Sequence, residues 1–141
     1  MRKLLLVTFL LLGAPVLADK PRFHANFDHP YKVEADKEGT AYVWQHGQPT
    51  QTQMVYITKE RLDLKKLKAY VLKTMPPNMG HIEESSTRID NLPAIQLEGI
   101  NSQGVPFVVA MVTTKERSLF CGSVSYDTVR NRNFVHTLKL R

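Results

Sequence analysis

The feature that most constrains the fold is the segment VPFVVAMV, residues 105–112, in which apolar residues follow one another almost without interruption. Side chains alternate between the two faces of a β-strand, so a strand of this composition carries apolar side chains on both faces. Burying both faces requires a layer of structure on each side of the sheet. The segment therefore predicts a central strand that is covered on both sides.

Further strand-like segments surround this one. Residues 81–89, 93–100 and 118–126 are separated from one another and from residues 105–112 by the connections DNL, NSQG and TKER. These connections have the composition of tight turns, so the four segments predict an antiparallel meander. Upstream, AYVWQ and QMVYIT flank the turn-forming HGQPT, which predicts an N-terminal hairpin.

Two segments have the apolar spacing of helices. In DLKKLKAYVLKTMPP, Asp63 is positioned to cap the first turn, and the two prolines end the helix. The apolar positions of this first helix share one face: Leu64, Leu67, Val71 and Met75. In the C-terminal segment 127–141, similar intervals relate Val129, Phe134, Val135 and Leu138. The hairpin, helix, meander and C-terminal helix predict an α+β protein, an α/β/α sandwich with a central, mainly antiparallel sheet.

The first 18 residues have the organisation of a signal peptide. Two basic residues precede an apolar run over residues 4–12, and Val16 and Ala18 are small residues at the positions that signal peptidase inspects. The run is shorter than the roughly 20 residues needed to cross a bilayer. We expect cleavage after Ala18, export to the periplasm or the medium, and no transmembrane anchor in the mature chain.

The sequence after Ala18 predicts a single domain with a small net positive charge. Residues 19–32 show no sustained period and predict an irregular segment, whereas residues 33–141 predict a single domain. Cleavage leaves 17 Lys and Arg against 13 Asp and Glu, so the net charge falls from +6 to +4. This excess favours acidic envelope partners, and export argues against nucleic acid.

The chain has a single cysteine, Cys121, in the strand-like segment SLFCGSVSY. It shares a strand face with Leu119, which predicts a buried thiol that acts as a small apolar residue. The alternatives are a disulfide to another chain, a modified thiol, or a nucleophile approached by His81 or His136. A position in the middle of a strand argues against the nucleophile.

The sequence contains no hydrolase or nucleotide-binding signature, and we predict neither an enzyme nor a cofactor. We also predict no metal site, although His24, Asp28 and His29 on one segment could wrap a divalent ion. The adjacent Glu83 and Glu84 point to opposite faces of a strand and predict charges that protect a sheet edge.

The C-terminal segment carries the features expected of a binding surface. It contains no acidic residue after Asp127, and a basic rim around an apolar helix face would suit an acidic partner. The predicted partner-binding residues are Arg130, Arg132, Phe134 and Lys139.

The order of elements resembles the PsbP/DcrB-like family of small exported α/β/α sandwich proteins. The resemblance covers about residues 31–140. It rests first on the helix DLKKLKAYVLKTM and on LPA before a strand that ends in LEG. The apolar strand 105–112, the strand 118–126 with Tyr126 at its end, and the closing FVHTLKL complete the resemblance. Plant PsbP relatives are extrinsic subunits of a membrane complex, and bacterial DcrB-like relatives are envelope proteins. The resemblance implies a non-enzymatic role and assigns no binding residue.

These observations favour an exported interaction module that binds an envelope protein or complex. The alternative is a small-ligand or metal-binding carrier, suggested by the three candidate ligands and by the hairpin aromatics Tyr42, Trp44 and Tyr56.

Overall fold

The computed structural model describes residues 22–47, 51–76 and 79–140, so the predicted signal peptide lies outside the described residues. Within these ranges, the strands and helices follow one another in the order β1 (Phe23–His24), β2 (Lys32–Ala35), β3 (Gly39–His46), β4 (Gln51–Thr58), α1 (Leu64–Thr74), β5 (Ile82–Ile89), β6 (Leu92–Ile100), β7 (Pro106–Thr113), β8 (Ser118–Val124), α2 (Thr128–His136) and β9 (Lys139–Leu140). None of the described helices is long and apolar enough to cross a membrane.

A seven-stranded sheet forms the framework, with the strand order β2-β3-β4-β8-β7-β6-β5. Every neighbouring pair is antiparallel, which confirms the α+β class, the N-terminal hairpin β3–β4 and the meander β5–β8. Pairing of β4 with β8 joins the hairpin and the meander into one sheet. The short β1 pairs with β9. β1 lies inside the segment 19–32 that is predicted to be irregular. The sequence does not reveal this strand because two residues are too few to show an alternating pattern.

The central strand β7 is buried on both faces, as its composition predicts. Its Val109 and Met111 belong to the same buried cluster as Leu67 and Val71 of α1. Its even-numbered residues, Val108, Ala110 and Val112, belong to a second cluster that contains Phe134 and Val135 of α2. Burial of apolar side chains is the main favourable term in folding, so β7 and its two neighbouring clusters form the core.

The helices begin at aspartate caps. The Asp63 carboxylate accepts a hydrogen bond of 2.8 Å from the backbone N–H of Lys66, which confirms the predicted cap of α1. Asp127 does the same for α2 by accepting from the N–H of Arg130 at 3.0 Å. The second helix is shorter than the periodic segment, because the chain leaves the helix after His136 and returns to pair as β9.

Candidate interaction surface at the start of α2

A buried amide fixes α2 on the sheet. The side-chain oxygen of Asn131 accepts hydrogen bonds from the hydroxyls of Ser123 and Ser125, both at 2.8 Å. Its amide nitrogen donates to the carbonyl oxygens of Ser125 at 2.9 Å and of Pro106 at 3.3 Å. Since Asn131 is fully buried, these bonds form away from water and hold the first turns of α2 at one position over β7 and β8.

Three large apolar side chains are exposed at the end of the sheet where α2 begins. Ile100 is 54% exposed, Tyr126 is 64% exposed and Val129 is 63% exposed. Their backbones lie close together, because Ile100 pairs with Pro106 and the N–H of Ser125 donates to the Pro106 carbonyl at 3.2 Å. We call Ile100, Tyr126 and Val129 the apolar end. The helical periodicity assigned Val129 to the buried side of α2, and the structure corrects that assignment.

Beside the apolar end, a groove of about 280 Å³ lies between α2 and the N-terminal segment. Asp28 lines this groove, and its carboxylate lies 3.0 Å from the guanidinium of Arg130. The Gln53 side chain donates to the same carboxylate at 2.9 Å and accepts from the backbone N–H of Asp28 at 2.8 Å. These contacts attach the N-terminal segment to β4 and α2, so Asp28 is a structural anchor.

The predicted basic rim is paired with carboxylates. Arg132 donates from Nε and Nη2 to one oxygen of Glu98, at 3.1 and 2.9 Å. Lys139 lies 3.8 Å from a carboxylate oxygen of Asp90. Since Arg130 is paired with Asp28 in the same way, the rim presents less free positive charge than its sequence indicates.

Phe134 is buried between α2 and the sheet. The sequence prediction placed it among the partner-binding residues, but it is only 2% exposed and packs against the sheet. Its ring meets that of Phe27 edge to face, with ring centres 5.1 Å apart. Phe134 therefore holds α2 and the N-terminal segment together and is not accessible to a partner.

The three candidate metal ligands have separate surroundings. His24 is exposed on β1, where it pairs with Lys139, and Asp28 is engaged by Arg130. The ring of His29 stacks on Trp44 with centres 4.9 Å apart. Over residues 22–47, 51–76 and 79–140, the structure has no group of three or more His, Cys, Asp or Glu side chains arranged to hold a metal ion.

Cys121 is buried in the cluster under α2, which confirms its prediction as a small apolar residue. Its cross-strand neighbours are Val55 and Ala110. Burial raises the pKa of the thiol to about 12, despite a hydrogen bond with the backbone of Ala110. The thiolate that nucleophilic chemistry needs is therefore disfavoured at neutral pH.

A second concave site lies at the opposite end of the sheet, beside the start of α1. This cleft of about 410 Å³ is lined by Lys37, Glu38, Thr58, Lys59, Glu60, Leu62 and Tyr70. The Tyr70 hydroxyl donates to Glu38 at 2.9 Å, and its ring stacks on Tyr56 with centres 6.3 Å apart. Burial is the main cause that raises the pKa of Tyr70 to about 12, and burial also raises the pKa of Tyr56.

No pattern in the sequence marks this cleft. Glu38 and Tyr70 lie 32 residues apart, one in the β2–β3 turn and the other in α1. No motif connects them, and Tyr70 falls outside the apolar positions that define the helix face.

A search of protein families, of curated proteins and of solved structures finds no match to this chain.

Proposed function

We propose that this chain is an exported, non-enzymatic interaction module that binds an envelope protein or complex through the apolar end. In this proposal the domain is an α/β/α sandwich of the PsbP/DcrB-like kind, and residues 1–18 are its cleaved signal peptide. The observation that carries the proposal is the exposure of Ile100, Tyr126 and Val129 at the same end of the sheet.

The composition of the surface supports binding to a protein. Interfaces combine an apolar centre with a polar rim, and tyrosine and arginine are enriched in them. Tyr126 and Val129 supply apolar area, while Arg130 and Arg132, close to them in α2, have side chains that are about half exposed. An ion pair at the surface contributes little, so either arginine can exchange its internal carboxylate for one on a partner at small cost.

Because the buried Asn131 network holds α2 in place, the apolar end requires little ordering before it binds. Three apolar side chains and two arginines match a partner surface with an apolar patch flanked by acidic residues. The net charge of +4 left after the proposed cleavage also favours an acidic partner.

The direct test is site-specific photo-crosslinking in the envelope of the producing cell. A photoreactive aromatic residue replaces Tyr126 in one variant and Leu72 in a control, because Leu72 is also an exposed apolar residue but lies on α1. We expect a discrete crosslinked species from position 126 that position 72 does not yield. The double charge reversal Arg130→Glu/Arg132→Glu should weaken that species. Equal products from positions 126 and 72, or none from position 126, would refute the proposed surface.

A small-ligand carrier is the second candidate, and the cleft beside α1 favours it. The cleft combines a tyrosine hydroxyl with two lysines and two glutamates, groups that suit a small polar ligand. A ligand screen that measures the melting temperature tests this role, because a ligand bound only by the folded chain raises it. Tyr70→Phe should abolish the shift, and Tyr126→Phe at the other end of the sheet should leave it unchanged. The carrier role fails if no compound raises the melting temperature.

A further inference from the structure

Among the strands that the structure describes, β5 has one side without a partner strand. β5 is an edge strand of eight residues, whereas the opposite edge strand, β2, has four. In the part of the chain that the structure describes, no strand pairs with the outer side of β5. The two helices contact mainly the central strands, and residues 83–86 are exposed. An edge of this length can accept another strand.

The turn after β5 determines which backbone groups face outward. Asp90 and Asn91 have φ angles of 50° and 67°, so they form a two-residue type I′ turn between Ile89 and Leu92. Residues that flank such a turn exchange both backbone hydrogen bonds, and along the strand such pairs alternate with non-bonded pairs. The N–H and C=O groups that point away from β6 therefore belong to Ile82, Glu84, Ser86 and Arg88.

The charged side chains of β5 are complementary to those of a second, antiparallel copy of β5. If two copies of β5 pair antiparallel around a two-fold axis at Ser86, Glu84 of each copy lies opposite Arg88 of the other. Both side chains are on the same face of the sheet because they are separated by an even number of residues. Sliding one copy by two residues removes both ion pairs. Sliding it by four places two Glu84 or two Arg88 side chains opposite each other, which is unfavourable.

We propose that the chain forms a two-fold homodimer in which the β5 edges of two copies pair in the register that places Ser86 opposite Ser86. The dimer joins two seven-stranded sheets into one and closes both open edges. Six backbone hydrogen bonds and two Glu84–Arg88 ion pairs connect the copies. Glu83 lies on the other face, opposite Ile89 of the second copy, and takes no part in the ion pairs.

The contacts of Glu84 and Arg88 within one copy are compatible with this pairing. Glu84 lies 2.7 Å from the ammonium of Lys68 on α1, which leaves its second carboxylate oxygen for another partner. Arg88 donates from one Nη to the carbonyl of Asn91, and a guanidinium has five N–H donors. Each group can therefore keep its internal contact and make the new one.

Sedimentation velocity of the purified chain over a range of concentrations tests whether the dimer forms and whether the Glu84–Arg88 ion pairs stabilise it. We expect the wild type to form dimers, and Glu84→Arg or Arg88→Glu alone to weaken dimerisation by at least about tenfold, because each places like charges opposite in two places. The double variant should recover the dimer. Glu83→Arg is the matched control and should behave as the wild type. Circular dichroism checks that each variant is folded. A wild type that stays monomeric, or a double variant no better than the single ones, would overturn the proposal.

Cysteine substitution tests the register. At a hydrogen-bonded pair the Cα atoms are about 5.5 Å apart, which is within the range that a disulfide spans. Ser86→Cys should therefore form a disulfide-linked dimer under mild oxidation, since the native Cys121 is buried. Ser85→Cys should not, because its side chain faces Thr87 of the second copy on the other face. If Ser85→Cys crosslinks as readily as Ser86→Cys, the proposed register is wrong.

Discussion

Replacement of Asn131 by alanine tests whether the buried amide fixes α2. The substitution leaves the Ser123 hydroxyl and the Ser125 carbonyl without the partners they have in the structure. The other two groups keep a contact, because the Ser125 hydroxyl also lies 3.3 Å from the Asp127 carbonyl, and the Pro106 carbonyl also accepts from the backbone N–H of Ser125.

The magnitude follows from these two groups. Each buried group left without a partner costs about 1–3 kcal/mol. The higher helix propensity of alanine returns about 0.5 kcal/mol. We therefore expect Asn131→Ala to lower the free energy of unfolding by about 3 kcal/mol, which for a domain of this size lowers the melting temperature by about 10 °C.

Urea unfolding followed by circular dichroism measures this loss. Asn133→Ala on the exposed side of the same helix is the matched control and should change the free energy by less than about 0.5 kcal/mol. In a double-mutant cycle, Ser123→Ala should recover part of the loss, because it removes the hydroxyl that Asn131→Ala leaves unpaired. Equal stability of the Asn131 and Asn133 variants, or strictly additive effects in the cycle, would refute the account.

The remaining predictions concern the core, the thiol and the tyrosine cleft. Phe134→Ala should destabilise the domain by about 3–5 kcal/mol in the same assay, because Phe134 is buried against the sheet; a loss under about 1 kcal/mol would show that it is accessible after all. Cys121 should not react with a thiol reagent in the native chain at mildly alkaline pH and should react once urea unfolds the domain; fast labelling without urea would contradict its burial and raised pKa. The raised pKa of Tyr70, about 12 against 10 when unfolded, means that the folded state keeps a proton that the unfolded state releases. Stability should therefore fall as the pH rises from about 10 to 12, and Tyr70→Phe should make that fall shallower; an unchanged slope would count against the shift.

Several properties were predictable because they depend on residues close together in sequence. The Asp63 cap and the spacing of Leu67 and Val71 are local, so the sequence alone predicts α1. The burial of Cys121 follows from the alternation along β8 and the apolar residue beside it. Periodicity was less reliable in the C-terminal segment, where it correctly placed a helix but assigned Val129 to the buried side.

The candidate binding surface depended on contacts between distant segments. Arg130 and Arg132 are basic in the sequence, but only the folded chain brings Asp28 and Glu98 to them. The apolar end likewise combines the end of β6 with the start of α2.

By itself, the sequence determined the two helices, the hairpin β3–β4, the meander β5–β8 and the burial of β7 on both faces, since strand alternation and helix periodicity are properties of consecutive residues. It did not indicate the short strands β1, β2 and β9. Only the tertiary structure decided that β8 lies between β4 and β7 and that the C-terminal arginines are paired. The physical reason is that strand order and ion pairs join residues far apart in the chain, and their partners are selected by packing of the whole domain.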